Sequence, residues 1–218
     1  VVVEAGSAIA VANWIDQVPA LLMAWYPGQE GGHALADVLL GSVNPSGKLP
    51  VTFAVSDAQL PPFVHEKDAV TYDYFHGYRY LDHDGDTPSF PFGFGLSYTT
   101  FSYANLRLSA SSIAPDGTLE ASVDVTNTGA REGKETVELY VSYEGSKVER
   151  AVRDLEGFSK VDLQPGETKT VTLALPASRL AYWDVAKSAW VVEPIHYTVA
   201  VGGSSRDLPV SAGFDVGM

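Results

Sequence analysis

Residues 119–129, from Leu119 to Gly129, carry the sequence LEASVDVTNTG, and this stretch decides the fold of the larger part of the chain. Its first eight residues alternate apolar and polar side chains, which is typical of a β-strand with one buried face, and Asn-Thr-Gly then marks a turn. Similar short strands are predicted at 135–142, 168–175 and 197–201, with turn signals at Glu144-Gly145 and Gln164-Pro165-Gly166. This spacing predicts an antiparallel β-sandwich over residues 101–218.

The first 60 residues have a different pattern, in which short apolar runs alternate with helical stretches. We predict strand, helix, strand and helix at 1–3, 8–16, 20–25 and 32–40. The run from Ala20 to Trp25 is short and continuously apolar, which favours a parallel strand buried on both faces. The second helix stops at Gly41, a residue that commonly ends helices. Because two such units cannot close an α/β domain, we expect residues 1–60 to be the C-terminal part of one. We also expect the chain to start inside a longer polypeptide.

Residues 61–100 form the third region, a predicted connecting segment. Aromatic side chains nearly alternate from Tyr72 to Tyr80 and are followed by Asp82-His83-Asp84-Gly85-Asp86. Alternation followed by an Asp/Gly cluster predicts a strand that enters a β-hairpin.

The composition excludes several classes of function. Of the 218 residues, 14 are Lys or Arg and 27 are Asp or Glu, which gives a net charge of −13. Such a charge repels nucleic-acid phosphates and anionic lipid headgroups, so we expect neither nucleic acid nor membrane as a partner. No apolar run approaches the roughly 18 residues of a transmembrane helix. The chain has no cysteine, which excludes disulfides, thiolate nucleophiles and cysteine-ligated metals.

Three motifs resemble known sites but fail on detail. Residues 41–48 have five residues instead of four between the glycines of a phosphate-binding loop, and Leu49 stands where Ser or Thr must bind magnesium. The acids at 82, 84 and 86 match the start of a calcium loop, but Thr87 and Gly93 replace its glycine and its bidentate acid. The five histidines lack metal-site spacing. We therefore predict no metal site.

Glu30 follows the strand at 20–25 and opens a helix, at the sheet edge where ligands and partners dock in α/β folds. Acids are common in first helical turns, so a capping and dipole role for its carboxylate competes with a substrate contact. Glycoside chemistry needs a second carboxyl group about 5–9.5 Å away, and the sequence supplies no partner for Glu30.

Several motifs together resemble glycoside hydrolase family 3 β-glucosidases. Residues 24–32 (AWYPGQEGG), 36–39 (ADVL) and 41–50 (GSVNPSGKLP) are similar to the second domain of that family, and 77–80 (GYRY) and 90–101 (FPFGFGLSYTTF) to its connecting segment. Residues 155–158 (LEGF), 163–167 (LQPGE) and 201–205 (VGGSS) resemble its C-terminal fibronectin type III-like domain.

The resemblance implies the fold class and the role of the chain. It implies the C-terminal part of an α/β sandwich at 1–60, a connecting segment with a hairpin at 61–100 and an all-β fibronectin type III-like sandwich at 101–218. The family's nucleophile and acid/base lie upstream, so no catalytic residue is carried over to this chain. Gln29, Glu30 and Arg79 are the candidates for domain-interface or positioning roles. The implied partners are the upstream barrel and the start of the α/β sandwich, within one polypeptide or as a separate chain.

In the whole enzyme the resemblance implies double-displacement hydrolysis of terminal β-glucosyl residues by two carboxylates, a chemistry that needs no cofactor. Two alternatives remain open at this point. One is a non-catalytic stabilising or polysaccharide-binding module. Such a module normally exposes planar aromatic side chains for sugar stacking, but Tyr140, Tyr143, Trp183 and Trp190 could equally be core or interface residues. The other is the same fold in a β-xylosidase, arabinosidase or N-acetylglucosaminidase. The acidic balance favours a secreted or periplasmic protein, with the bacterial cytoplasm as the alternative.

Overall fold

A computed structural model describes residues 1–62 and 64–217. The chain divides into two compact units, Val1–Ser97 and Tyr98–Met218. In the part of the chain that the structure describes, no helix is long and apolar enough to cross a membrane.

The first unit has little regular structure. Strands β1 (Val2–Val3) and β2 (Leu22–Met23) pair in parallel, and the helices are α1 (Gly31–Leu39) and α2 (Tyr78–Asp84). Short 3-10 turns cover Ile15–Gln17 and Asp57–Gln59. The parallel strand predicted at 20–25 is found at Leu22–Met23, but both side chains are half-buried, so the predicted burial on both faces is wrong. The helix predicted at 32–40 is confirmed. Gly41 has a φ of +78° immediately after the C-cap, a conformation that favours glycine.

Two other predictions for the first unit are wrong. Residues 8–16 do not form the predicted α-helix: Ile15 and Asp16 lie in a 3-10 turn, and Val11 is the one residue among them that is fully buried, so little buried apolar surface holds a helix there. The predicted hairpin is replaced by α2. Gly85 has a φ of +74° and ends this helix, whereas the sequence interpretation placed the Asp-Gly pair in a hairpin turn.

The second unit is the predicted antiparallel sandwich. Its strands are β3 (Phe101–Leu108), β4 (Ser112–Ile113), β5 (Thr118–Asn127), β6 (Gly133–Glu144), β7 (Asp154–Leu163), β8 (Thr168–Pro176), β9 (Tyr182–Asp184), β10 (Ala189–Val191), β11 (His196–Gly202) and β12 (Val210–Val216). One sheet has the order β4-β12-β11-β6-β7 and the other β3-β5-β8, while β9 and β10 form a separate hairpin. A 3-10 turn at Ala177–Leu180 precedes that hairpin.

The core of the second unit consists of alternate side chains of the long strands. In β5 the buried positions are Leu119, Ala121, Val123 and Val125, which are the apolar residues of the opening motif. The other sheet contributes residues such as Val199 and Phe214 to the same cluster. Each fully buried Val, Leu or Phe contributes about 1.5–3 kcal/mol. The second unit therefore has a hydrophobic core of its own.

The two units differ sharply in what they bury. Among the described residues, the first unit fully buries three apolar side chains, Val11, Phe53 and Leu81, and the second unit buries twenty. A segment of nearly 100 residues normally buries most of its apolar surface on folding. The first unit therefore has a much smaller hydrophobic core than the second.

Candidate functional site

The first unit exposes the surfaces that a parallel α/β layer normally covers. Strands β1 and β2 are short, and each has exposed or half-buried side chains, although parallel strands are usually buried on both faces. Large aliphatic side chains are exposed throughout this unit, both at β1 and in the segments that follow β2: Val1, Val2, Leu39, Leu40, Val43, Val51, Val55, Leu60, Val64, Val70 and Leu96. These side chains are available to be covered by a partner.

The turn after β2 has an unusual backbone conformation. Trp25 has a φ of +54°, in the left-handed region that bulky residues rarely adopt. Its ring meets Phe53 edge to face, with the centroids 6.3 Å apart. Tyr26 lies over Gly6, where a Cβ would come within 2.6 Å of the Tyr26 hydroxyl oxygen. The turn is thus fixed by close contacts, and it presents Tyr26 to solvent with 80% of its surface exposed.

Glu30 lies at the end of this turn, at the N-cap position of α1. Its side chain makes no capping hydrogen bond, which removes the capping part of the first interpretation. The helix-dipole role and the substrate contact stay predictions. Its Oε2 atom lies 2.7 Å from Nδ1 of His33, one helical turn later, and both side chains are highly exposed. Gln29 precedes it in the turn and is also exposed. Both residues are therefore accessible to a partner, as an interface role requires.

Arg79 lies in the first turn of α2, half-buried between aromatic rings. Its Cζ atom is 5.6 Å from the centroid of the Tyr74 ring and 5.7 Å from that of Tyr78, which is cation–π distance. These contacts hold the guanidinium within its own segment. Gln29 and Glu30 are thus neighbours at the start of α1, while Arg79 is positioned by residues 74–79. Their role at a domain interface remains a prediction.

The structure offers no metal-binding cluster in its described part: no three His, Asp or Glu side chains there are arranged to hold an ion. The acids at 82 and 84 lie on α2, and the Oδ1 atom of Asp84 is 2.7 Å from Nδ1 of His83.

Sequence reasoning missed a row of buried carboxylates in the second unit. Tyr103 donates its hydroxyl to Glu135 at 2.8 Å, Tyr140 to Glu138 at 2.6 Å, and Tyr143 to Asp154 at 3.0 Å. Burial, together with the adjacent carboxylates, raises the pKa of the Tyr103 and Tyr143 phenols. Tyr103 and Tyr143 thus stay protonated as donors, and the three hydroxyl groups give the buried carboxylates hydrogen-bond partners.

The four aromatic residues whose role the sequence left open divide into two pairs. Tyr140 is fully buried, and Tyr143 packs edge to face on the core residue Tyr197. Trp183 and Trp190 lie on the β9–β10 hairpin and are exposed. The tyrosines are therefore structural, and the tryptophans are available to a ligand.

Comparison with known families matches both units. Residues 1–98 match the glycosyl hydrolase family 3 C-terminal domain, and residues 135–205 match the fibronectin type III-like domain. Thermostable beta-glucosidase B of Acetivibrio thermocellus is 44% identical over 89% of this chain, and beta-glucosidase BoGH3A of Bacteroides ovatus is 37% identical over 98%. The alignments cover 26% and 30% of these two relatives.

Solved structures give the same result. The beta-D-glucoside glucohydrolase of Trichoderma reesei superposes on 99% of this chain with a TM-score of 0.92 and 34% identity. Beta-glucosidase 3B of Thermotoga neapolitana, in complex with α-D-glucose, superposes on 100% with a TM-score of 0.91 and 38% identity. The chain corresponds to 33% and 31% of these two structures. It thus spans about a quarter to a third of the proteins that it resembles.

Proposed function

Because the chain belongs to glycosyl hydrolase family 3, as its C-terminal region, we propose that it is a structural part of a retaining β-glucosidase. The observation that carries the proposal is the contrast in burial between the units: three buried apolar side chains in the first and twenty in the second. One unit has a core, and the other has surfaces that need a partner.

The partner of the first unit is the upstream part of the same enzyme. The relatives are three to four times longer than this chain, which supports such a part. The exposed surface is mainly Val and Leu, and large apolar interfaces are typical of permanent assemblies. Full burial of an exposed Val or Leu contributes about 1.5–3 kcal/mol, so stable association requires that many of these side chains be covered together.

The reaction of the whole enzyme would be a double displacement at a terminal β-D-glucosyl residue. One carboxylate attacks the anomeric carbon, and a second carboxyl group protonates the leaving oxygen and then activates water. Both groups would lie upstream of Val1. The turn from Trp25 to Glu30 and the Arg79 segment would support the upstream domains by position. We also propose a secreted or periplasmic location, supported by the net charge of −13.

Reconstitution tests the proposal. The chain and the upstream part are produced separately, and hydrolysis of an aryl β-glucoside is measured for each and for the mixture. We expect activity only in the mixture. Hydrolysis by this chain alone would refute the proposal, and so would an upstream part that neither binds the chain nor gains activity from it.

A charge placed on the exposed apolar surface gives a matched pair of variants. Leu40 is 83% exposed in the first unit, and Val185 is 80% exposed in the second. Leu40→Asp should weaken association with the upstream part, because it buries a carboxylate in an apolar interface. Val185→Asp should leave association unchanged. Equal effects of the two substitutions would contradict the assignment of the interface to the first unit.

A further inference from the structure

The β9–β10 hairpin carries two exposed tryptophans that the core of the second unit does not use. Trp183 and Trp190 are directly opposite in the antiparallel register, and 49% and 70% of their surfaces are exposed. Their ring centroids are 5.6 Å apart and the planes meet at 72°. The two indoles therefore form a corner, in which a ligand stacked on one ring is flanked by the other.

The hairpin holds this corner in a defined geometry. Oδ1 of Asp184 accepts hydrogen bonds from the backbone N–H groups of Ala186 and Lys187, at 3.0 and 3.1 Å. Its Oδ2 atom lies 3.3 Å from the Lys187 ammonium nitrogen. A turn fixed by its own side chain reduces the entropy that a ligand must overcome on binding.

An open groove of about 500 Å³ adjoins Trp190. Its lining combines apolar and polar groups: Pro115, Ser178, Arg179, Ala181, Trp190 and Val192. Nε of Arg179 donates to Glu156 at 2.8 Å, and the Arg179 side chain remains 54% exposed. The groove thus brings a guanidinium paired with Glu156 and the Ser178 hydroxyl close to the Trp190 indole.

We propose that this hairpin and groove bind a neutral polysaccharide chain. Pyranose rings present flat CH faces that pack on indoles, while their hydroxyl groups need donors and acceptors at the ring edge. Arg179 and Ser178 supply such groups. The cations at the site are paired with Glu156 and Asp184, and the chain as a whole carries −13, so an anionic polysaccharide is disfavoured.

The alternative occupant, the upstream polypeptide, fits this surface less well. Tryptophan and arginine are themselves common in protein interfaces, so the indoles alone do not decide between the two occupants. The charged groups beside them are already paired within the second unit, with Glu156 and Asp184, and the first unit supplies the exposed Val and Leu side chains that a permanent interface would use. The proposal does not depend on the glucosidase assignment, because it concerns the second unit alone.

Affinity electrophoresis of the 218-residue chain in a soluble mixed-linkage β-glucan tests the proposal. We expect the glucan to retard the chain, and Trp190→Ala and Trp183→Ala each to weaken binding about tenfold, which corresponds to about 1.4 kcal/mol. Trp190→Phe should keep much of the affinity. Phe158→Ala is the matched control, since Phe158 is 69% exposed on β7, outside the groove lining. Polygalacturonate, an anionic polymer, should not retard the chain.

Three results would overturn the proposal. They are no retardation of the wild-type chain, equal retardation of the tryptophan variants and the wild type, and loss of binding to the upstream part in the tryptophan variants. The last result would assign the hairpin to a protein interface. Near-UV circular dichroism of each variant checks that the sandwich is folded. The two proposals can fail separately. If the chain binds glucan but does not reconstitute activity with the upstream part, the glucosidase assignment is refuted and the proposed polysaccharide site is not.

Discussion

Replacement of Glu193 by alanine should destabilise the second unit more than the removal of any exposed ion pair. The Glu193 side chain is 4% exposed and that of its partner Arg150 is 10% exposed. Glu193 accepts hydrogen bonds from the Ser146 hydroxyl at 2.6 Å, the Lys147 N–H at 2.8 Å and Arg150 at 3.3 Å. Arg150 also donates to the Leu180 carbonyl at 3.0 Å. The pair connects the loop after β6 to the turn before the tryptophan hairpin.

The magnitude follows from the buried charge that the substitution leaves behind. Removal of one partner of a buried ion pair costs about 3–5 kcal/mol, since the other charge stays buried and uncompensated. For a unit of this size, 1 kcal/mol corresponds to roughly 3–5 °C in melting temperature. Glu193→Ala should therefore lower the melting temperature of the second unit by about 10–20 °C. Glu193→Gln, which keeps the acceptor oxygen, should cost less.

Differential scanning calorimetry measures this effect, and the exposed pair of Lys134 with Asp162 provides the control. These side chains are 57% and 69% exposed, so Asp162→Ala should cost less than about 1 kcal/mol. A shift of less than about 3 °C for Glu193→Ala, or equal shifts for the two variants, would refute the reasoning.

The effect should also depend on pH. Burial alone would raise the pKa of Glu193, but the hydrogen bonds from Ser146, Lys147 and Arg150 outweigh it and hold this pKa below its ordinary value. A group whose pKa is lower in the folded state than in the unfolded state stabilises the fold at pH values above its unfolded-state pKa. This stabilisation is lost as the pH falls through the folded-state pKa. The difference between wild type and Glu193→Ala should shrink below about pH 4.

Three further predictions concern single positions in the second unit. Asn127→Ala should lower the free energy of unfolding, measured by chemical denaturation, by about 3 kcal/mol. The buried Asn127 side chain accepts hydrogen bonds from Thr99 and Gly129 and donates to the carbonyls of Arg131 and Leu163. A decrease of less than about 1 kcal/mol would contradict this account. Gly202→Ala should cost about 3 kcal/mol or more, since its Cβ would meet the Asp207 backbone, whereas Gly157→Ala, with 4.0 Å to Leu173, should be tolerated; similar melting temperatures would show that the backbone yields. Asp184→Asn should loosen the tryptophan hairpin, seen as faster proteolysis at 185–188. Because backbone N–H groups, led by that of Lys187, lower the Asp184 pKa, the wild-type hairpin should also loosen as pH falls below about 4, and a hairpin insensitive to pH would contradict this role.

The sandwich was predictable because its long strands bury alternate side chains. The strand predicted from Leu119 to Thr126 is found at Thr118–Asn127, and that from Thr168 to Leu175 at Thr168–Pro176. Strand β7 escaped prediction because Asp154 and Glu156 occupy buried positions on it. Tyr143 and Arg179 pair with these acids, and such partners from distant parts of the chain cannot be found by periodicity.

The first unit was harder to predict because its structure depends on contacts between distant residues. The apolar residues 8–16 suggested a helix, but Val11 alone is fully buried there. The Asp-Gly pair at 84–85 fits a hairpin turn and a helix end equally well, and the helix is what forms. In the candidate site, the exposure of Gln29 and Glu30 could be predicted from the sequence, because both residues follow β2 at the edge of the sheet. The hydrogen bond between Glu30 and His33 and the rings around Arg79 could be found only in the structure.

Amide hydrogen exchange of the chain, alone and with the upstream part, tests the central claim most directly. The claim is that the second unit is stable by itself and the first is stable only against a partner. Alone, strands β5, β6 and β11 should exchange slowly and residues 1–97 quickly, and the upstream part should slow exchange around β1, β2 and α1. Slow exchange throughout residues 1–97 in the isolated chain would contradict the claim, and so would exchange there that the upstream part leaves unchanged.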